Sequence, residues 1–141
     1  MMLFDHVVIP VASEEDAIAT CASLDPYLDG IERVTAVHVI EKAGGAPDKA
    51  PLEKRREDAA EFLAVVDSRL GQSVAVDSRI VYGTDVVERL FEVADDVGAS
   101  TLAFRARGGS RIVRLLTGDT ATRLVTDPPI PVVSLPAQEE D

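Results

Sequence analysis

Short apolar runs alternate with amphipathic helical patterns along this chain, and the alternation is the strongest constraint on its fold. Runs rich in Val and Ile predict five strands, at 3–10, 33–40, 74–82, 101–104 and 130–135. Apolar residues spaced for one helix face predict four helices, from the cap Ser13 to Pro26 and at 52–70, 85–97 and 120–126. Strands that alternate with helices in this way imply a mostly parallel sheet with helices on both faces.

The predicted architecture is a single three-layer α/β/α domain over residues 1–141, with a doubly wound, parallel, five-stranded sheet of strand order 3-2-1-4-5. Sheets of this kind bind ligands beyond the carboxyl ends of the strands, at the point where the strand order reverses. For this order, the point lies between the first and fourth strands. Two predicted loops converge there, 10–13 and 105–119.

The second loop has the composition of an anion site. Its glycines, Gly108 and Gly109, allow the chain to take a positive φ, and it leads onto the start of a helix whose unpaired N–H groups point outward. It also carries three arginines, Arg107, Arg111 and Arg114. Arginine binds phosphate bidentately, although in an acidic chain the same side chains also pair with surface carboxylates. The sequence leaves both interpretations open.

Charge and composition narrow the class of protein. The chain has 25 Asp and Glu against 14 Lys and Arg, a net charge of −11, which disfavours nucleic acid as a partner. Dispersed acids and only three lysines favour a protein of a high-salt cytoplasm over an ordinary acidic bacterial protein. The chain has no apolar run of membrane-spanning length and no basic region before its first apolar run, so we expect neither a membrane span nor a signal peptide. The one cysteine, Cys21, fits a reducing cytoplasm and is expected to be packed in the core.

The remaining polar residues do not form a recognisable catalytic set. His6 and His38 lie in predicted strands without metal-ligand spacing, and we interpret them as structural. The acids at 14–16 and 95–96 are interpreted as helix caps and solvated helix faces. Without a nucleophile or metal motif, catalysis is not expected.

Taken segment by segment, the sequence resembles the universal stress proteins over nearly its whole length. The similar segments are VVIPVASEEDA, VTAVHVIE, YGTDVVERLFEVADDVGAS, TGDTATRLV and IPVVSL. The resemblance implies an adenine-nucleotide α-hydrolase-like, Rossmann-like fold that dimerises through its last strand. ATP-binding members carry the pattern G-x2-G-x9-G-(S/T), and its last two glycines match Gly108 and Gly118 in this chain.

Three positions depart from the ATP-binding pattern. Arg105 replaces the first glycine, and its side chain would block close backbone approach. Asp119 replaces the Ser or Thr, where a carboxylate repels phosphate unless Mg²⁺ bridges the two, and it would cap the following helix. Ala12 stands where relatives carry an aspartate that contacts the base.

The resemblance implies a set of candidate site residues around the two loops. The candidate nucleotide-binding residues are Pro10, Val11, Ala12, Ser13, Val39, Phe104, Arg105, Arg107, Gly108, Gly118, Asp119, Thr120 and Ala121. The candidate dimer interface is Ile130, Val132, Val133, Ser134 and Leu135. ATP or AMP with Mg²⁺ would be the ligand, and no metal site formed by the protein alone is predicted.

The functional expectation is a cytoplasmic stress-response domain that acts by ligand binding and dimerisation rather than by catalysis. A nucleotide-free dimeric interaction module of the same fold is the alternative. An enzyme of this fold is disfavoured because no nucleophile is recognisable. Residues 41–51 are expected to form a mobile loop, and the tail 137–141 is expected to be disordered.

Overall fold

The computed structural model describes residues 2–41, 52–105 and 118–137, without the side chains of residues 118 and 119. The expectations for the loop at 42–51, for Arg107, Gly108, Gly109, Arg111 and Arg114, and for the tail at 138–141 therefore lie outside the described residues. The strands are β1 (His6–Pro10), β2 (Arg33–Glu41), β3 (Ala75–Gly83), β4 (Thr101–Arg105) and β5 (Val132–Leu135). The helices are α1 (Glu14–Leu24), α2 (Leu52–Leu70), α3 (Val86–Val97) and α4 (Gly118–Val125), with a 3-10 helix at Asp25–Gly30.

The five strands form one parallel sheet in the order β3-β2-β1-β4-β5, which confirms the predicted strand order. In the centre of the sheet, Val7 of β1 pairs with Val34 of β2 on one side and with Thr101 of β4 on the other. Both central strands are covered on their two faces, and Val7 and Leu102 have no exposed surface. The carboxyl ends of β1 and β4 are therefore neighbours at one edge of the domain.

Two apolar layers lie on opposite faces of the sheet. In one layer, α1 and α2 pack against the strand side chains that point to their face of the sheet, including Ile9 and Ala103. In the other layer, α3 and α4 pack against the strand side chains that point to the opposite face, including Val8 and Phe104. Because side chains alternate along a strand, Arg105 lies on the same face as Ala103, which is the face covered by α1.

Ser13 caps α1 as predicted, and side-chain or glycine caps also mark both ends of α3. Ser13 precedes α1, and its hydroxyl accepts the N–H of Asp16 at 3.1 Å. Asp85 caps α3 by accepting the N–H of Glu88, also at 3.1 Å. Gly98 ends α3 with a left-handed backbone at φ 73°, a conformation that glycine adopts without steric cost.

The first and last strands of the chain, β1 and β5, are shorter than predicted. β1 begins at His6 rather than at residue 3, because Met2 and Asp5 close a turn in which the Asp5 N–H donates to the Met2 carbonyl at 3.2 Å. β5 begins at Val132 rather than at residue 130. Pro131, which has no N–H, only accepts from Leu102 at 3.0 Å and does not continue the strand.

The start of α4 corrects a second expectation. The helix begins at Gly118 and not at residue 120, so Asp119 lies inside its first turn instead of preceding it as the cap. The helix ends at Val125, and Asp127 takes a left-handed backbone at φ 59° just before the two prolines that follow.

Candidate functional site

The helices that follow β1 and β4 lie on opposite faces of the sheet. α1 packs on one face, and α4 packs on the other face through Leu124. In doubly wound sheets the position between two such strand tips is the usual ligand site, and we call this position between β1 and β4 the crevice. The predicted location of the site is therefore also the place where the strand order reverses.

The first wall of this crevice is residues 10–13, and β2 holds it in place. The Val11 N–H donates to the Val37 carbonyl at 2.8 Å. The His38 Nδ1 lies 2.7 Å from the Val11 carbonyl oxygen, so this nitrogen carries the proton and donates it. His38 is in turn packed edge-on against Phe62, with ring centroids 5.4 Å apart. His38 thus has the structural role expected from the sequence, and the wall that it supports is part of the candidate site.

Asp16 connects residues 10–13 to α1 by a hydrogen bond. Its burial also shows that the expectation of solvated acids at 14–16 is wrong for this residue. Its side chain is only 1 % exposed. One carboxylate oxygen accepts the Ala12 N–H at 2.7 Å, and the other accepts the Thr20 hydroxyl at 3.3 Å. Glu14 and Glu15, by contrast, are exposed as predicted.

Burial raises the pKa of Asp16 from 3.8 to about 6. The hydrogen bonds from Ala12 and Thr20 and the positive charge of Arg105 act in the opposite direction, but they offset the loss of hydration only in part. The sequence held a signal for this burial. Asp16 precedes Thr20 by four residues and Leu24 by eight, so it continues the buried stripe of α1.

Arg105 ends β4 at the second wall of the crevice. Its backbone pairs with Leu135, its side chain is half-buried, and its Nε is buried without a hydrogen-bond partner. The sequence predicts that this side chain blocks approach to a ligand. Its position on the face covered by α1 instead brings its charge close enough to lower the pKa of Asp16. Phe104, one residue earlier, points to the opposite face and is 2 % exposed.

The other candidate residues occupy the rim of the crevice and the helix beyond it. Val39 lies half-buried in β2, and Thr120 and Ala121 lie half-buried in the first half of α4. An ion pair of 2.8 Å between Arg123 of α4 and Asp85 joins α4 to the start of α3. The Arg123 guanidinium also holds the pKa of the Asp85 carboxyl below its usual value.

The remaining chemically active side chains are packed away from the crevice. Cys21 is 2 % exposed, and burial raises the pKa of its thiol to about 12, so it is protonated and unreactive. His6 Nε2 lies 2.7 Å from the Thr35 hydroxyl, and burial, aided by Arg33, lowers the pKa of the imidazole. Within 2–41, 52–105 and 118–137, no three His, Cys, Asp or Glu side chains group closely enough to hold a metal ion. Over the same ranges, no helix has the length and apolar character needed to cross a membrane.

The predicted dimer residues lie on the last strand and just before it. Ile130, Val132 and Val133 are half-buried, Ser134 is exposed and Leu135 is buried. Within the described chain, β5 pairs only with β4, so its other side is an open edge. A cavity of about 250 Å³ lies beside this edge. It is lined by Phe4, Leu24, Tyr27, Ile31, Ala103, Val133, Leu135 and Pro136.

Comparison with known proteins supports one family. The model of the Universal stress protein family matches residues 3–136. A solved structure of a universal stress protein family member from Burkholderia pseudomallei is 24% identical, with a TM-score of 0.74 over 97% of this chain and 99% of that chain. No curated protein sequence matches this chain.

Two further solved structures contain an adenine nucleotide. The universal stress protein from Archaeoglobus fulgidus in complex with dAMP is 16% identical, with a TM-score of 0.62 over 96% of this chain and 100% of that chain. A universal stress protein in complex with cAMP is 18% identical, with a TM-score of 0.68 over 97% of this chain and 100% of that chain. At these identities the likeness establishes the fold that the chains share.

Proposed function

This chain belongs to the universal stress protein family, and from that premise we propose that it is a cytoplasmic stress-response domain that binds an adenine nucleotide between the tips of β1 and β4. The nucleotide would lie between residues 10–13 and the start of α4. Binding, rather than turnover, would be the functional event. Ligand binding would change the affinity for a partner.

The observation that carries this proposal is the geometry of the crevice. Two hydrogen bonds with β2 hold its first wall: the Val11 N–H donates to the Val37 carbonyl, and His38 Nδ1 donates to the Val11 carbonyl. Such a wall is preorganised, so a ligand would not have to order it on binding. Two proteins of the same fold bind dAMP and cAMP, which makes an adenine nucleotide the first class of ligand to test.

Calorimetry with ATP, AMP and cAMP, each with and without Mg²⁺, tests the proposal directly. We expect saturable binding at one site per chain for at least one of them. The double variant Ala12→Asp, Asp119→Ser restores the two polar groups that the family pattern carries, and should tighten binding by about tenfold. Ala60→Asp, Glu61→Ser makes the same two exchanges at exposed positions of α2, with the same unchanged net charge, and serves as the matched control. Absence of heat with all three nucleotides in the natural chain would contradict the proposal, and heat in the double variant alone would assign the natural chain to the nucleotide-free class.

The open edge of β5 supports a second candidate function, a nucleotide-free dimeric interaction module. An unpaired strand edge is a template for pairing with another chain, and apolar side chains line a cavity directly beside it. In this case two copies would join through 130–135, and the crevice would have no ligand.

The mass of the particle in solution, measured by light scattering, separates a dimer from a monomer. Tyr27 is 45 % exposed at the cavity, and Leu52 is 51 % exposed on α2. If β5 forms the interface, Tyr27→Lys should weaken the dimer and Leu52→Lys should leave it intact. Equal effects of the two variants, or a monomer in the natural chain, would remove this candidate.

A further inference from the structure

The Asp16 carboxylate is buried more deeply than its capping role requires. In a capping box the third helical residue reaches back to the N–H of the cap residue at the helix surface. Here Asp16 reaches one residue further, to Ala12, and only 1 % of the residue is exposed. Removing a carboxylate from water is costly, and two hydrogen bonds, from Ala12 and Thr20, do not restore what hydration supplied.

Arg105 ends β4 on the face of the sheet that α1 covers. Its charge lowers the pKa of the Asp16 carboxyl, although the two residues are far apart in sequence. Among the residues that the structure describes, its buried Nε has no hydrogen-bond partner, so the guanidinium is incompletely satisfied where it stands. A buried carboxylate and a half-buried guanidinium thus lie on the same side of the sheet, near the loop after β1 and the end of β4.

We propose that the Asp16 carboxylate is a positioning group for both walls of the candidate site: it fixes residues 10–13 through the Ala12 N–H and draws the Arg105 guanidinium toward α1. The part that concerns ligand affinity rests on the proposed nucleotide-binding function. With Arg105 held on the α1 face, the side of the crevice toward α4 stays open. A neutral residue 16 would leave the Ala12 N–H with a weaker acceptor and Arg105 without its counter-charge.

Protonation of Asp16 would have the same effect as removing its charge, so the arrangement should respond to pH. The midpoint should lie near 6, to which burial raises the pKa of this carboxyl. Two other charged or titratable groups interact with Asp16, Arg105 from β4 and Cys21 from α1. Neither titrates in this range, because the guanidinium stays charged and burial raises the pKa of the thiol to about 12.

Nuclear magnetic resonance tests the positioning role without any ligand. The Ala12 N–H and Arg105 Nε–H signals of the full chain are followed between about pH 5 and pH 8. We expect both to shift together, with a midpoint near 6, in the natural chain. The shift should persist in Glu15→Gln, which removes the neighbouring exposed charge from the same helix turn, and should vanish in Asp16→Asn. Signals that do not change in the natural chain would overturn the inference, and this measurement needs no variant.

Calorimetry with ATP and AMP in the presence of Mg²⁺ tests the consequence for affinity. Near pH 7.5, Asp16→Asn should bind about tenfold more weakly than the natural chain, and Glu15→Gln should stay within about twofold. Near pH 5, the natural chain should bind no more tightly than Asp16→Asn. The comparison uses the ratio of the two affinities at each pH, because the nucleotide phosphate also titrates, with a pKa of about 6, in both measurements.

The two experiments separate failure of this inference from failure of the proposed function. If the natural chain and Asp16→Asn bind nucleotide equally well, the inference is wrong and the proposed function stands. If the natural chain binds neither nucleotide at any pH, the proposed function is wrong, and the resonance measurement alone decides whether Asp16 positions the two walls.

Discussion

The two ends of the parallel sheet satisfy their buried polar groups in different ways. At the amino end, the groups around Ser100 and Thr101 are neutral and paired. The Ser100 hydroxyl accepts the His6 N–H at 3.1 Å and lies 2.9 Å from the Leu3 carbonyl, and the Thr101 hydroxyl also donates to Leu3. At the carboxyl end lie a buried carboxylate, Asp16, and the half-buried guanidinium of Arg105, whose Nε has no partner among the described residues.

This difference separates the part of the domain built for stability from the part that carries the candidate site. Neutral hydrogen bonds between buried groups stabilise a fold at little electrostatic cost, because no charge leaves water. A buried charge with incomplete partners costs stability, and such costs cluster at functional sites. Substitutions at the two ends should therefore change the stability of the domain in opposite directions.

The largest effect is expected at the amino end. Ser100→Ala removes the acceptor of the His6 N–H and leaves that buried donor unpaired, so the free energy of unfolding should fall by about 2 kcal/mol. Urea denaturation measures the loss. Ser78→Ala, on an exposed position of β3, is the matched control and should change stability by only a few tenths of a kcal/mol. An equally small change for Ser100→Ala would mean that the amino end is not held by these bonds.

At the carboxyl end, Asp16→Asn should stabilise the domain near pH 7.5. The folded-state pKa of Asp16, about 6, lies above the unfolded value of 3.8. Its contribution to stability is therefore fully present below the unfolded value and is lost as the pH rises through 6. A shift of this size corresponds to at most about 3 kcal/mol, and an expected gain of about 1 kcal/mol allows for the hydrogen bonds that the amide makes less well. The same urea experiment on Glu15→Gln should give no gain, and a destabilised Asp16→Asn would break the comparison.

The pH dependence of stability sharpens the comparison, because one titrating group at each end has the opposite sign. Burial lowers the pKa of His6, so its contribution is present above its unfolded value of 6.5 and is lost as the pH falls. Asp16 contributes more as the pH falls over the same range. Between about pH 7 and pH 5, Asp16→Asn should thus lose stability more steeply than the natural chain, and His6→Gln less steeply. Identical slopes for the three proteins in urea titrations would show that neither group controls the pH response.

The sequence predicted the fold of this molecule better than it predicted the chemistry of the candidate site. Alternating strand and helix patterns are long-range and redundant, so the strand order was predicted correctly. Strand ends were less accurate, because the turn at 2–5 and the carbonyl of Pro131 depend on contacts with other parts of the chain.

The chemistry of the candidate site depends on where two side chains point, those of Asp16 and Arg105, and composition does not encode this. Three consecutive acids at 14–16 look like a solvated helix start, and in the sequence only the spacing of the third from Thr20 and Leu24 indicates that it continues the buried stripe of α1. Arg105 was expected to block close backbone approach to a ligand, and the alternation of side chains along β4 places it on the α1 face.

The smallest effect should come from a charged pair at the carboxyl end that water still reaches. Arg123 and Asp85 lie 2.8 Å apart, but their side chains are 48% and 36% exposed. Exposed pairs contribute about 0–1 kcal/mol and are screened by salt, so Arg123→Ala should lower stability by a few tenths of a kcal/mol, and less at high salt. Lys54→Ala, which removes another exposed pair, with Asp58, is the control of similar size. If Arg123→Ala lowers the free energy of unfolding as much as Ser100→Ala, exposure does not explain the difference between the two ends of the sheet. The ion pair between α3 and α4 would then contribute to the stability of the carboxyl end.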